Sequence, residues 1–269
     1  MRDYSIAVVI PAYNAELYIG DALDNVIAQT RLPEQIIVVD DGSIDRTAER
    51  VLSWKRENFP GLILRQQNNR GVSAARNTGA CHAKADLIAF LDADDLFLPH
   101  HLARLELAFK RHPELLVCFG DASYFDAQKI IRTSSLVGTR IEDVKCHEQE
   151  DGLRLMKGSV YMSLLRGNYV SMSASLVSKS ALERVGLFDE TIRNAEDRDL
   201  FLRLSLIGPF AYYPCIVAQK RLHENNLTHS RPVMLSMRYQ FLVLQKMLDR
   251  TKKLGLSAKE RTKTKEAMN

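Results

Sequence analysis

Carboxylates gather at a few short places in this 269-residue sequence, and each spacing could do chemistry. Asp92-Ala93-Asp94 follows an apolar run at 87–91. In a strand, positions two apart point the same way, so two acids emerging there could grip a divalent cation. One could equally hold the metal while the other binds a ligand hydroxyl, because Mg²⁺ and Mn²⁺ favour oxygen donors. A solvated turn leading into a helix cap would use the same residues. Asp40-Asp41-Gly42-Ser43 ends another apolar run. Its acids could accept from a nucleobase or a ribose, or only cap the following helix. Glu196-Asp197 opens the pattern Asp-Arg-Asp-Leu-Phe-Leu-Arg-Leu. Acids there are either a general base with a hydroxyl in reach or simple partners of the helix dipole. Arg221, His223 and Arg76 are cations of the kind that would flank a diphosphate. The other six histidines read as surface or core residues. The sequence has no Ser or Cys nucleophile elbow, no GxGxxG and no GxxxxGK[ST], so hydrolase, dehydrogenase and P-loop chemistry lose support.

These groups need a scaffold, and hydrophobic patterning supplies one. Buried strands are predicted at 5–10, 36–40, 62–66, 87–91 and 115–119, with helices at 16–29, 45–56, 72–83 and 99–111 between them. This alternation implies an α/β fold with a mostly parallel sheet covered on both faces. Right-handed crossovers place the strand C-termini along one edge, where ligands bind. The polar segments 11–14, 40–43, 68–71 and 92–95 all fall on that edge. Residues 121–170 show few clear periods and are read as irregular or inserted structure. Order returns with a strand at 173–178, helices at 180–185 and 197–206, a strand at 210–218 and a final helix at 233–253. This second half is expected to pack onto the first sheet rather than fold separately.

Composition agrees with a globular protein: 46% of residues are hydrophobic and 26% charged. No apolar run approaches the ~20 residues of a membrane helix, and the N-terminus does not resemble a signal peptide, so a cytoplasmic location is expected. Cys81, Cys118, Cys146 and Cys215 form no CxxC pair, which speaks against zinc. The formal net charge is +4, yet the segment from Arg231 onward carries ten Lys/Arg against three acids. An acidic body with a basic tail is a poor match to nucleic acid. It suits a body that holds a cation and a tail that could touch an anionic surface.

In order and spacing, six segments resemble the family 2 glycosyltransferases: Val8-Val-Ile-Pro-Ala-Tyr-Asn14, Val38-Val-Asp-Asp-Gly-Ser43, Asn69-Arg-Gly-Val-Ser-Ala-Ala-Arg-Asn77, Phe90-Leu-Asp-Ala-Asp-Asp95, Val185-Gly-Leu-Phe-Asp-Glu190 and Ala195-Glu-Asp-Arg-Asp-Leu-Phe-Leu-Arg203. The resemblance implies a GT-A fold, with a Rossmann-like central sheet, a C-terminal acceptor-side region and a terminal helix. It divides the chain into a glycosyltransferase domain at 1–230, with a nucleotide-binding half at 1–120 and an acceptor-side half at 121–230, and a basic helical extension at 231–269. It implies inverting transfer from a nucleotide sugar, most commonly a UDP-sugar, with Mn²⁺ or Mg²⁺, to a saccharide or lipid-linked acceptor in polysaccharide or glycolipid assembly.

Residue by residue, Pro11, Ala12, Tyr13 and Asn14 match the segment that cradles the nucleotide, with Tyr13 positioned to stack on the base. Asp41 matches the carboxylate that binds the base, with Asp40 beside it. Asp92, Ala93 and Asp94 match the DxD-type motif, Asp94 contacting the metal and Asp92 the ribose, the sugar or the metal. Asp197 matches the general base, supported by Glu196. Arg221, His223 and, more loosely, Arg76 match positions near the diphosphate. Arg198 stands where an aromatic often follows the base, which is expected to alter acceptor recognition. The QxxRW motif of processive synthases is missing and Trp54 is the only tryptophan, so a single transfer is expected. A nucleotidyltransferase, or a silent sugar-nucleotide-binding protein, is the alternative. The basic stretch 250–265 is the candidate contact with an anionic membrane.

Overall fold

The computed structural model describes residues 3–57, 59–126, 129–223, 233–250 and 255–268. Its first half is built from β1 (Ile6–Ala12), β2 (Gln35–Asp40), β3 (Leu62–Gln66) and β4 (Leu87–Phe90), which lie in the order β3-β2-β1-β4 with every pairing parallel. Their side chains divide by strand alternation into two cores. Val9, Ile37, Val39 and Phe90 enter one, while Val8, Ile10, Ile36 and Val38 enter the other. A sheet covered on both faces needs such unbroken Val/Ile runs. The connections are α1 (Ile19–Ile27), α2 (Thr47–Glu57) and α3 (Val72–His82). Helix α3 runs so close to β1 that a Cβ on Gly79 would lie 2.3 Å from Val9 Cγ1. After the short β5 (Leu96–Phe97), α4 (His101–Arg111) completes this half.

The sheet continues into the second half with mixed polarity. The remaining strands are β6 (Val117–Phe125), β7 (Ile130–Arg132), β8 (Cys146–Glu148), β9 (Arg154–Met156), β10 (Ser175–Ser178) and β11 (Phe210–Arg221). Strand β10 sits antiparallel between β4 and β6, and β11 runs parallel to β6 and antiparallel to β9. The helices are α5 (Val160–Leu164), α6 (Lys179–Val185), α7 (Glu196–Ser205), α8 (Val233–Asp249) and α9 (Ala258–Glu266). Among the described residues these strands form one eleven-stranded sheet.

Residues 121–170 are therefore more ordered than their sequence suggests. They contain the end of β6, all of β7, β8 and β9, and α5. The strand predicted to end at 119 runs on to Phe125 because Ala122–Phe125 pairs in register with Ala218–Arg221 of β11. Buried Asp121 then pins the following loop, accepting from the N–H groups of Ser135 (2.7 Å) and Leu136 (3.1 Å). Polar strands of this kind lack the apolar alternation that would announce them.

Helix α8 buries Val243, Leu244 and Met247 against the body. Lys246 holds Asp189 at 2.8 Å, and Arg250 reaches both Asp189 and Asp199, the latter at 3.1 Å. The part of the predicted final helix at 251–253 lies outside the described residues. Helix α9 opens with a capping box between Ser257 and Glu260 and docks on α5 through a 2.7 Å hydrogen bond between Tyr161 and buried Thr264. Among the described residues no helix is long and apolar enough to cross a membrane.

Candidate active site

The edge of the sheet at the ends of β1 and β2 forms a lip. Ala12 is in register with Asp40, and the Asp41 N–H donates to the Ala12 carbonyl at 2.8 Å. Beyond Pro11 and Ala12 the chain turns through Asn14 at φ 49°. The Asn14 N–H donates to Ser43 Oγ at 2.9 Å, and its side-chain oxygen accepts from the Ile44 N–H at 3.0 Å. Tyr13 is left 52% exposed on this lip, open to stack on a planar group.

Both acids of the Asp40-Asp41 pair are buried. Asp40 accepts from the Ser43 N–H at 2.9 Å and from Gln66 Nε2 at 3.2 Å. Asp41 accepts from Gln67 Nε2 (2.7 Å), the Arg70 N–H (3.0 Å) and the Gly71 N–H (2.7 Å). Three of its roughly four acceptor positions are thus taken by protein, fastening the 67–71 loop to the start of α3. Gly42, at φ +78°, allows the close approach, since a Cβ there would lie 2.9 Å from the Asn69 nitrogen.

Strand β4 ends at Phe90, so Asp92 and Asp94 stand in a turn closed by the Asp95 N–H on the Asp92 carbonyl at 3.0 Å. Strand alternation therefore does not aim them together, as the sequence argument assumed. Asp92 turns to Arg76 Nη2 at 2.7 Å, and Asp94 turns to His223 Nε2 at 2.9 Å. Ala93 between them is buried. Arg221, at the end of β11, donates from Nε to the Asp94 carbonyl (3.1 Å), and from its backbone N–H to Asp95 (3.1 Å). The ring of Tyr18 stacks on His223 with centroids 4.9 Å apart, which holds the imidazole in place. Asp94 offers the oxygen that Mn²⁺ and Mg²⁺ favour, with phosphate oxygens left to fill the remaining positions, while the neighbouring imidazole nitrogen of His223 is a donor that Mg²⁺ takes reluctantly. Among the described residues no group of three or more His, Cys, Asp or Glu could hold a metal ion by itself.

Arg76 connects this turn to the acids of α7. Buried within α3, it donates from Nη1 to Glu196 Oε1 at 2.8 Å while Nη2 holds Asp92. Its guanidinium also lies over the Phe188 ring, 5.5 Å from the centroid. Burial works against its charge, but Asp92 and Glu196 outweigh it and raise the pKa further above its ordinary value. Burial would likewise raise Asp92, but Arg76 and Lys220 win and hold it below the usual carboxylate value. Asp197, beside Glu196, behaves in the opposite way. Burial, reinforced by the neighbouring Glu196 charge, pushes its carboxyl up to about 6. One Asp197 oxygen accepts from Asn168 Nδ2 at 2.8 Å and the other from the Arg198 N–H at 2.7 Å. The Arg198 side chain turns away from Asp197. It is buried and donates to the Leu165 carbonyl at 2.8 Å and to Gln240.

The structure thus joins Asp92, Asp94, Arg76, Glu196, Asp197, Arg221 and His223 in one network, with Asp41 one loop away through Gly71. Three contributors were missed in the sequence. Asn168 orients Asp197 from a stretch with no periodic signal. Asp95 is buried under the turn, where Ser173 donates to it at 2.7 Å; burial pushes its carboxyl up to about 7, with Asp92 and Asp94 pushing the same way. Lys220 lies 4.0 Å from Asp95. Burial disfavours its charge, but Asp95 and Asp92 more than compensate, so its pKa is raised. A lysine inside the strand run Val-Ala-Gln-Lys-Arg was the available clue to it.

Comparison with known proteins supports the same class. The model of the glycosyl transferase family 2 domain matches residues 7–173. The chain belongs to this family. An uncharacterized glycosyltransferase of Rickettsia bellii is 25% identical over 86% of this chain, and a hyaluronan synthase of Pasteurella multocida is 26% identical over 91%. This chain spans 31% of the first and 23% of the second. Among solved structures, S. aureus TarS (residues 1–349) in complex with UDP-GlcNAc superposes with a TM-score of 0.69 at 17% identity, covering 98% of this chain and 70% of that one. The same protein with UDP gives 0.65. The fold is therefore the GT-A α/β fold.

Proposed function

We propose that this chain transfers one glycosyl group from a nucleotide-sugar donor, a UDP-sugar in the first instance, to an acceptor hydroxyl with inversion at the anomeric carbon. The observation that carries the reading is the Arg76 bridge, which joins Asp92 at 2.7 Å and Glu196 at 2.8 Å and so draws the DxD turn and the base helix together. The UDP and UDP-GlcNAc complexes of the structurally similar TarS support the choice of donor. Family membership supports the reaction class.

In this reading Tyr13 and the Pro11–Asn14 lip receive the base, and Asp40 and Asp41 keep the lip and the 67–71 loop in place. Asp94 and His223 would hold Mn²⁺ or Mg²⁺, which when bound supplies Lewis-acid stabilisation of the leaving diphosphate. Arg221 and Lys220 add fixed positive charge on the same side. Asp197 takes the proton of the acceptor hydroxyl while that oxygen attacks the anomeric carbon. The bond from that carbon to the diphosphate oxygen breaks on the opposite face, and its electron pair leaves with the nucleoside diphosphate. A carboxylate near neutrality suits this work, being ionised at operating pH yet basic enough to accept the proton.

The test is donor hydrolysis and transfer across a panel of nucleotide sugars with Mn²⁺ and Mg²⁺. Asp197→Asn is expected to retain nucleotide binding and to lose transfer by about 10²–10⁴-fold. Transfer at the wild-type rate would remove Asp197 as the base. Release of pyrophosphate in place of nucleoside diphosphate would overturn the reaction class.

A further inference from the structure

The second half of the chain holds a concavity that lies apart from the network around Arg76. It is a cavity of about 450 Å³ bounded by the turn at Arg140–Asp143, the strand ends of β8 and β9, α5 and α9. Five of its lining side chains are cations: Arg140, Lys145, Lys157, Arg166 and Lys263. Only two acids line it. Asp143 is shared between Arg140 at 3.5 Å and Arg166 at 3.8 Å, and Glu266 pairs with Lys263. Among the described residues no carboxylate reaches Lys145 or Lys157. These two are held side by side, because the Lys157 N–H donates to the Lys145 carbonyl at 2.7 Å. Ser159 adds a hydroxyl whose oxygen caps α5 and whose proton remains to be donated. Excess charge of one sign on concave walls focuses the potential and draws in counter-ions.

The cavity also has a place in the proposed reaction. Leu165 and Arg166 line it. The Leu165 carbonyl accepts from Arg198, the residue after the base, and Asn168 a few positions on donates to Asp197 itself. One short turn therefore presents its near side to the cavity and its far side to the base.

We propose that this cavity is an anion subsite that receives a phosphate or phosphodiester group of the acceptor while the reacting hydroxyl lies at Asp197. Lysines serve phosphate as point charges, and the volume admits such a group with an attached residue. The term acceptor rests on the transferase reading above; the site itself does not.

Inorganic tripolyphosphate titrated into the full chain, with UDP present throughout, tests the subsite by backbone amide NMR. Shifts are expected at residues 145, 157, 159 and 166. The double variant Lys145→Glu/Lys157→Glu should bind about tenfold more weakly, while Lys84→Glu, an exposed lysine elsewhere, should not. Unchanged affinity in the double variant, or shifts confined to 92–94 and 221–223, overturns the proposal. Phosphatidylglycerol vesicles form the second arm. Sedimentation with vesicles that the double variant loses assigns a lipid-borne phosphate, tripolyphosphate binding alone assigns a soluble one, and binding of neither overturns the subsite. Because no readout requires transfer, a chain that shows these shifts yet transfers nothing refutes the transferase reading and leaves the anion subsite in place.

Discussion

The two halves of the sheet position their functional groups by different means. In residues 3–111 the polar segments follow parallel strands. Asp40 and Asp41 accept from backbone N–H groups of adjoining loops, as Asp41 does from Arg70 and Gly71, while Asp92 and Asp94 turn to the side chains of Arg76 and His223. In residues 117–223 the strands are mixed in direction, and the functional groups come from a turn (Asn168), a helix start (Asp197) and the interior of a strand (Lys220). Asp40 and Asp41 of the first half hold backbone in place. The second supplies a carboxyl that burial pushes up to about 6, a value matched to proton transfer. A lip fixed by hydrogen bonds and a carboxyl of raised pKa call for opposite environments, and the chain separates them.

Arg76 is where the halves meet, so the sharpest way to break the contrast is to remove it. Arg76→Ala strands Asp92, with 27% of its side chain exposed, and Glu196, with 14%, without their shared cation. Breaking a buried pair costs about 3 kcal/mol or more, which urea unfolding would read as a lower midpoint. A wild-type midpoint would mean that the guanidinium does not join the halves.

A smaller effect sharpens the difference in titration. Because Asp197 must be ionised to act, transfer should rise with pH through about 6 and level off above it. Glu196→Gln removes a like charge beside the base, so the rise should move to lower pH by about one unit, equivalent to about 1.4 kcal/mol. An unmoved profile would separate Glu196 from the base electrostatically.

The smallest effect concerns the C-terminal helices. Asp189 is held well below its ordinary 3.8: burial would raise it, but Lys246 and Thr191 hydrogen bonds prevail. A depressed carboxyl contributes stability that is present above its unfolded value and lost as pH falls through the folded one. Asp189→Asn should therefore cost about 1 kcal/mol near neutral pH, discounted because Lys246 and Arg250 are part-exposed, and nothing in strong acid. Thermal melts at the two pH values read the difference; equal losses at both would show that charge does not hold α8.

Much of the first half was legible because its signals are local. Apolar runs of Val and Ile mark β1 and β2, Asp-Asp-Gly-Ser marks a turn that needs a glycine at positive φ, and the polar segments follow at the strand ends. The second half was harder to read. Asp121, buried in β6, is polar and breaks the alternation, while Asn168 carries no periodicity at all. Asp92 and Asp94 escape strand alternation for a related reason: β4 ends at Phe90, and a backbone hydrogen bond from Asp95 to Asp92 closes a turn there.

The amino-acid sequence by itself determined the parallel first half, the edge on which the polar segments stand and the membership of Asp92, Asp94 and Asp197 in a set of acids. Propensity, patterning and turn chemistry act over a few residues, so they can be read there. Only the tertiary structure decided that Arg76 joins Asp92 to Glu196, 120 positions beyond Arg76 itself, that Asn168 steadies Asp197 and that five cations of the second half line one cavity. Those pairings depend on how helices pack against a finished sheet, and no local pattern encodes that distance.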